Sequence, residues 1–265
     1  MALFNCTCPG QQTGIKKRGN RIPQFRQPRM PLNGDAHSEY ICLHCCKSCY
    51  NASMKLIEAI RAVNDIASSQ RGLFTSAQAK ALGVERYALS RLEGLGNIER
   101  LAKGVYRMGG SPSTREEDVL AAWLSIDPGR RPGDIAGEGV PVAMGATAAW
   151  LYGIGEVGPS PYEFCTPERK QTKRPNLIIR KRRLDPKDVA IVSGIPATRP
   201  WLTVVDLIDS GEDLSLVANV LVDALERDLI EDEGTLRQSI DARAAKAGMP
   251  AGASLYDSLA RRRKE

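Results

Sequence analysis

Hydrogen-bond donors suited to a polyanion recur between positions 85 and 107, where arginine, lysine, tyrosine and serine alternate with apolar residues. Arginine can grip a guanine base edge with two hydrogen bonds, and serine or tyrosine can reach a phosphate. Glu85 can accept from cytosine or favour the positive start of a helix. These side chains indicate recognition of double-stranded DNA rather than a covalent reaction.

The segment 73–108 contains the elements that would present those donors. Thr75 is expected to cap a short helix over 76–82, with Phe74 packing on the core, and Gly83 supplies a tight turn. A second helix is expected from about 84 to 92. Strands at 98–101 and 105–108 then flank the two-residue turn Lys103-Gly104. This order predicts a winged helix-turn-helix.

The outward face of the second helix follows if Ala88, Leu89 and Leu92 face the core. The hairpin adds donors that would lie near the flanking backbone of the duplex. The alternative is a helical module whose charges are merely solvated, or a winged helix that binds protein. The predicted DNA-binding residues are Thr75, Ser76, Glu85, Arg86, Tyr87, Ser90, Arg91, Arg100, Lys103, Tyr106 and Arg107.

Composition excludes several other function classes. The chain has 37 basic and 31 acidic residues, a net charge of +6 and only two histidines, His37 and His44. The body of the protein therefore lacks the histidine of a catalytic triad or a histidine-ligated metal site, and we predict no cofactor, no metal and no enzymatic activity. The longest uncharged run, 139–155, contains Pro141 and falls short of a membrane span. With no signal-peptide pattern at the amino terminus, a cytoplasmic location is expected.

Cysteine usage separates the first 53 residues from the rest. Six of the seven cysteines precede position 50, in a basic stretch without apolar periodicity. This stretch is expected to be a flexible extension, or residues upstream of a true start at Met54. The two CxxC pairs between Cys42 and Cys49 could hold zinc, but free thiols are favoured because no strands accompany them.

The remainder, 111–265, reads as a mostly helical α+β domain with a small sheet. The predicted domains are thus 1–53, a winged helix at 54–110, and 111–265. Ser113 and Glu116 have the spacing of a capping box, and short strands are expected at 162–165, 177–180 and 189–192. The GxGxxG match at 153–158 follows a helix and is read as a loop, and Cys165 as a small core residue.

Charge in this domain is uneven. Residues 168–183 include eight basic side chains and a single acidic one, Glu168. Residues 205–234 include ten acidic side chains and a single basic one, Arg227. The basic strip could extend a nucleic-acid footprint, and the acidic helices could face a basic partner or simply be solvated. An enzyme of nucleic acids built on Asp206, Asp209 and Asp223 is a further alternative. The predicted auxiliary contacts are Arg169, Lys170, Lys173, Arg174, Arg180 and Arg182.

Two stretches resemble the AbiEi family of antitoxins, from type IV toxin–antitoxin and abortive-infection systems. GLFTSAQAKALGV, RYALSRLEGLGNIERLAKGVYRM and the wing motif KGVYRM resemble its amino-terminal domain. GATAAWLYGIGE, GIPATRPWLTVVDLI and VLVDALERDLI resemble its carboxy-terminal domain, so the resemblance covers 54 to about 250. One departure is Leu202, which stands where the family motif T-x-x-R-T-x-x-D-L has arginine.

The resemblance implies a protein with two tasks. The winged helix would bind inverted repeats upstream of its own operon and repress transcription. The second domain would counter a nucleotidyltransferase-type toxin, with or without direct contact. Two copies would bind on DNA, although the free protein could be a monomer. The alternative is an ordinary winged-helix regulator whose second domain senses a ligand or a protein partner.

Overall fold

The computed structural model describes residues 46–130, 134 and 139–261, with side chains described from Lys55 onward. The first helix, α1, spans Cys46–Ser68 and so begins before the predicted start at Met54. Cys42, Cys45 and most of the predicted extension lie outside the described residues, whereas Cys46 and Cys49 lie in the first turn of α1, where only the backbone is described.

The elements after α1 follow the predicted order closely. A three-stranded antiparallel sheet has the order β1-β3-β2, and its β2–β3 hairpin turns at Lys103-Gly104. This arrangement of two short helices followed by a hairpin is the one that a winged helix-turn-helix requires. The elements are β1 (Leu73–Thr75), α2 (Ser76–Ala81), α3 (Arg86–Gly94), β2 (Ile98–Ala102) and β3 (Val105–Met108).

Both faces of the small sheet contribute to apolar cores, although Glu99 and Arg100 of β2 remain exposed. On one face Phe74 stacks on Tyr106, with ring centroids 5.6 Å apart, in a core shared with α1, α2 and α3. On the other face Leu73 and Val105 pack in the same cluster as Trp123 of helix α4 (Glu117–Ile126). Because α4 shares this core with the second sheet as well, it joins the first module to the rest of the chain rather than leaving a free linker.

The second region is an α+β assembly, as predicted. Its mixed sheet has the order β6-β5-β4-β8-β7, with the β4–β8 and β5–β6 pairs parallel and the outer β7–β8 pair antiparallel. The elements are β4 (Val142–Ala143), α5 (Gly145–Tyr152), β5 (Tyr162–Thr166), β6 (Leu177–Lys181), β7 (Val189–Val192), β8 (Ile195–Thr198), α6 (Pro200–Ser210), α7 (Leu214–Glu226), α8 (Glu233–Asp241) and α9 (Leu255–Arg261).

Helices α5 to α9 enclose a separate apolar core that contains Leu221, Leu236 and Tyr256. Gly153 adopts a left-handed conformation that ends α5, so the GxGxxG match is a loop after a helix, as predicted. Gly155 has φ +67, and a Cβ there would lie 2.3 Å from Cγ2 of Val220. This glycine therefore allows the loop to approach α7 closely.

The predicted capping box at the start of α4 is wrong. The helix begins at Glu117, and its N-cap residue, Glu116, makes no side-chain capping bond. The N–H of Glu117 donates instead to the carbonyl of Thr114, in a turn that precedes the helix. The Glu116 carboxylate is engaged elsewhere, in an ion pair with Arg71 at 3.2 Å.

Candidate nucleic-acid interface

Helix α2 starts at a complete capping box. Thr75 is extended (φ −108, ψ 156), and its hydroxyl accepts a 3.1 Å hydrogen bond from the Gln78 N–H. The Gln78 side chain accepts a 2.8 Å bond from the Thr75 N–H in return. Gly83 then adopts φ +80 and turns the chain into α3. The start and end of α2 are thus set by local sequence, as predicted.

The faces of α3 divide as the sequence predicts. Ala88, Leu89 and Leu92 are buried. The opposite side is exposed to solvent, and no ion pair within the described residues engages Arg86 or Arg91. Two guanidinium groups that carry no internal counter-charge are available to a phosphate or a guanine edge. The exposed residues are Glu85, Arg86, Tyr87, Ser90 and Arg91.

The hairpin turn lies against the start of α2. The carbonyl of Gly104 accepts a 2.9 Å hydrogen bond from the Ser76 N–H, and Gly104 has φ +76. Lys103 is exposed at this turn without an ion-pair partner among the described residues. Arg100 is exposed on β2, with its guanidinium 5.7 Å from the centroid of the Tyr106 ring. The hairpin therefore adds two accessible cations to those of α3.

Three of the predicted contacts are buried or paired within the module, and their contact with DNA stays a prediction. Thr75 is fully buried, and its hydroxyl donates to the carbonyl of Pro128. Tyr106 is 6% exposed and stacks inside the module. Arg107 pairs with Glu99 and, at 2.9 Å, with Glu117 of α4, and these hydrogen bonds raise the pKa of its guanidinium. These side chains build the module instead of facing outward.

Gln78 and Lys80 were missed by sequence reasoning. The buried Gln78 amide donates to the Arg130 carbonyl at 2.7 Å and also bonds with Gln70. Its signal was the T-x-x-Q spacing from Thr75, which is that of a capping box. Lys80 is an exposed cation in the last turn of α2. Its signal was its outward position on a short helix beside the turn.

The basic strip belongs to an edge of the larger sheet. Strand β6 is one of the two edge strands, and Arg180 pairs only loosely with Glu163, at 3.5 Å. Arg169 and Lys173 are exposed and have no partner among the described residues. Their contact with nucleic acid stays a prediction.

Other members of the strip are committed to internal partners. Arg174 donates to the Ser125 hydroxyl at 2.8 Å, and Lys170 donates to the Ile126 carbonyl at 3.4 Å, so both are tied to the end of α4. Arg182 forms an ion pair with the buried Asp206, so its contact with nucleic acid stays a prediction that would require it to leave this partner.

The carboxylates considered for an enzyme are held by different partners. Asp206 pairs with Arg182, Asp209 with Arg243 and Lys246, and Asp223 accepts a 2.8 Å bond from the Gly155 N–H. Among the described residues, no group of three or more histidine, cysteine or acidic side chains is placed to hold a metal ion. Cys165 is 1% exposed, and burial raises the pKa of its thiol to about 12, so it is a core residue, as predicted.

Two family models match the chain over ranges that follow these elements. Residues 61–109 match a model described as a transcriptional regulator, AbiEi antitoxin. This matched range ends just after β3. Residues 141–254 match a model described as the AbiEi antitoxin C-terminal domain. This matched range begins at β4. The chain belongs to the AbiEi antitoxin family. Leu202, which replaces the motif arginine, is buried in the core of the α5–α9 helices.

This membership makes the protein an antitoxin with a regulatory role. A search of curated proteins finds no match. Within the part of the chain that the structure describes, no helix has the length and apolar character needed to cross a bilayer.

Proposed function

We propose that this AbiEi antitoxin represses its own operon by inserting α3 into the major groove of inverted repeats upstream of its gene. The observation that carries this proposal is the exposed cationic face of α3, where Arg86 and Arg91 have no internal counter-charge among the described residues. Unpaired guanidinium groups on a short, core-anchored helix are what base-edge recognition uses. Together with Arg86 and Arg91, Ser90 and Glu85 form the reading face, the side of α3 that would contact the base edges. Ser76, at the start of α2, would contact the DNA backbone.

The β2–β3 hairpin would contact the flanking phosphates through Lys103 and Arg100. Lys80 would add a further phosphate contact from α2. Each released counterion makes binding salt-dependent, so these side chains set affinity more than sequence choice. On the second domain, Arg169, Lys173 and Arg180 would extend the footprint. Lys170 and Arg174 would add to it only by leaving their partners at the end of α4.

The domain division that fits this function places DNA recognition in 54–110 and antitoxicity in 111–265. The second domain would counter a nucleotidyltransferase-type toxin encoded beside the antitoxin. Because inverted repeats present two half-sites, two copies would bind one operator in the cytoplasm, which does not require a dimer in solution.

Fluorescence anisotropy with a duplex from the protein's own upstream region, titrated with salt, tests the DNA-binding part. The Arg86→Ala and Arg91→Ala double variant should lose about 1–3 kcal/mol for each base-reading contact. Arg61→Ala is the matched control, because Arg61 is an exposed arginine of α1 that lies outside the reading face. Unchanged affinity of the double variant would refute the assignment of α3.

Co-expression tests the antitoxin part. A neighbouring nucleotidyltransferase gene should arrest growth when expressed alone and should not do so together with this protein. The arginine double variant should still restore growth when both genes are placed under an unrelated promoter, because repression and antitoxicity would reside in different domains. Persistent arrest with wild-type antitoxin would contradict this toxin class.

A further inference from the structure

Helix α3 presents the aromatic ring of Tyr87 to solvent. Tyr87 is 67% exposed, more than the other exposed large apolar side chains of the described residues, which reach 60% at Leu95. It forms no hydrogen bond or ring contact within the described part of the chain. A single exposed apolar side chain is ordinary on a protein surface. Tyr87, however, lies beside Arg86 at the start of α3.

Tyr87 is the second residue of α3, next to Arg86 and one helical turn before Arg91. The buried residues Ala88, Leu89 and Leu92 fix the rotation of the helix about its axis, so the ring is held on the outward side. Recognition helices contact base edges mainly with residues near their amino-terminal end. With α3 in the major groove, the ring would enter the groove together with the Arg86 guanidinium.

The major groove offers one apolar group to such a ring. Thymine alone carries a methyl group at C5, and apolar side chains read A·T pairs by contact with it. Arg86 would grip a guanine through O6 and N7, whereas the neighbouring ring has an apolar face and edge to offer. We infer that Tyr87 is a specificity-determining residue that contacts a thymine methyl group on the base pair beside the guanine held by Arg86.

This inference rests on the proposed function, in which α3 occupies the major groove. It differs from the expectation that the Tyr87 hydroxyl reaches a phosphate. In that case the hydroxyl would contribute to affinity on any sequence, and the ring would carry no information about the base. The two roles separate when either the hydroxyl or the thymine methyl group is removed by itself.

The test uses the duplex covering the protein's footprint on its own upstream DNA. Thymines in each half-site are replaced one at a time by deoxyuridine, which lacks only the 5-methyl group. Loss of one buried methyl contact should weaken wild-type binding about fourfold at one or two positions in each half-site. Tyr87→Ala should bind more weakly and no longer distinguish the two bases there. Tyr87→Phe should retain the discrimination because it keeps the ring.

Ile57→Ala is the matched control, because Ile57 is an exposed apolar residue, 45% accessible, on α1. It should show the wild-type response to every deoxyuridine substitution. Equal wild-type binding to all substituted duplexes would overturn the inference and leave operator binding intact. So would loss of discrimination in Tyr87→Phe. Failure of the wild type to bind the thymine duplex would instead overturn the proposed function.

Discussion

The side-chain amide of Gln78 donates a 2.7 Å hydrogen bond to the backbone carbonyl of Arg130. Next to it, the Thr75 hydroxyl donates to the carbonyl of Pro128. These bonds join the start of α2 to the segment that leaves α4, and Arg107 joins the hairpin to α4 through Glu117. The helix-turn-helix is therefore fixed against the second region by polar bonds as well as by the shared apolar core around α4.

Replacing Gln78 with leucine should lower the free energy of unfolding by about 3 kcal/mol, because the buried Thr75 N–H and the partly buried Arg130 carbonyl would lose their partner. Urea unfolding monitored by circular dichroism measures the change. Gln238→Leu, at an exposed position of α8, should change stability by no more than about 0.5 kcal/mol. A loss of similar size in both variants would mean that the Gln78 bonds add nothing specific.

Sequence alone predicted the elements whose signals are local. The capping residue Thr75, the glycine turns and the apolar spacing of α3 all lie within a few residues of the structure that they specify. The strands β4 and β8 were not predicted. With two residues, β4 has no periodicity to detect, and it is defined by pairing with Phe164 and Cys165 of β5 and Ala197 of β8.

The difference between local signals and tertiary pairing also explains which site residues could be predicted. Exposure of Arg86 and Arg91 follows from the 3.6-residue period of one helix. The partners of Arg107 and Arg182 lie 10 and 24 positions away, at Glu117 and Asp206. Pairing of this kind depends on tertiary packing. The sequence around Arg107 and Arg182 therefore did not indicate that each would form an ion pair with a distant carboxylate.

Two cations of the hairpin should behave differently in DNA binding. Lys103→Ala should reduce the salt slope of operator affinity by about one without affecting stability, because Lys103 is exposed and unpaired in the described residues. Arg107→Ala should leave the slope unchanged and lower stability by about 1 kcal/mol, because Arg107 pairs with Glu99 and Glu117. Anisotropy at several salt concentrations and urea unfolding measure the two effects. A reduced slope for Arg107→Ala would show that Arg107 leaves Glu117 for a phosphate.

Gly155 and Gly248 form a matched pair for the cost of a side chain at positive φ. At Gly248 (φ +74) no atom lies within 4 Å of an added Cβ, so Gly248→Ala should cost about 1 kcal/mol from left-handed strain alone. At Gly155 an added Cβ would also meet Val220 at 2.3 Å, so Gly155→Ala should cost about 3 kcal/mol. Chemical denaturation compares the two variants. Equal losses would mean that α7 moves aside without penalty.

Asp206 should give the second region a specific pH dependence. Its side chain is 3% exposed, Arg182 engages one carboxylate oxygen, and the other has no hydrogen-bond partner among the described residues. Burial raises its pKa from 3.8 to about 6, although Arg182 opposes the shift. The folded protein therefore holds this proton more tightly than the unfolded chain. The stability that this gives is complete below the unfolded pKa and is lost as the pH rises through the folded pKa.

Asp206→Asn cannot ionise and should lack this dependence. The stability of the variant relative to wild type should increase by about 2–3 kcal/mol between about pH 4 and about pH 7, because only wild type must ionise a buried carboxyl group. Urea unfolding of both proteins across that interval measures the difference, and carboxyl groups common to both cancel. Asp257→Asn, at an exposed carboxylate paired with Arg237, serves as the control and should show no such rise. A relative stability that stays flat with pH for Asp206→Asn would mean that Arg182 holds the Asp206 pKa near its unfolded value.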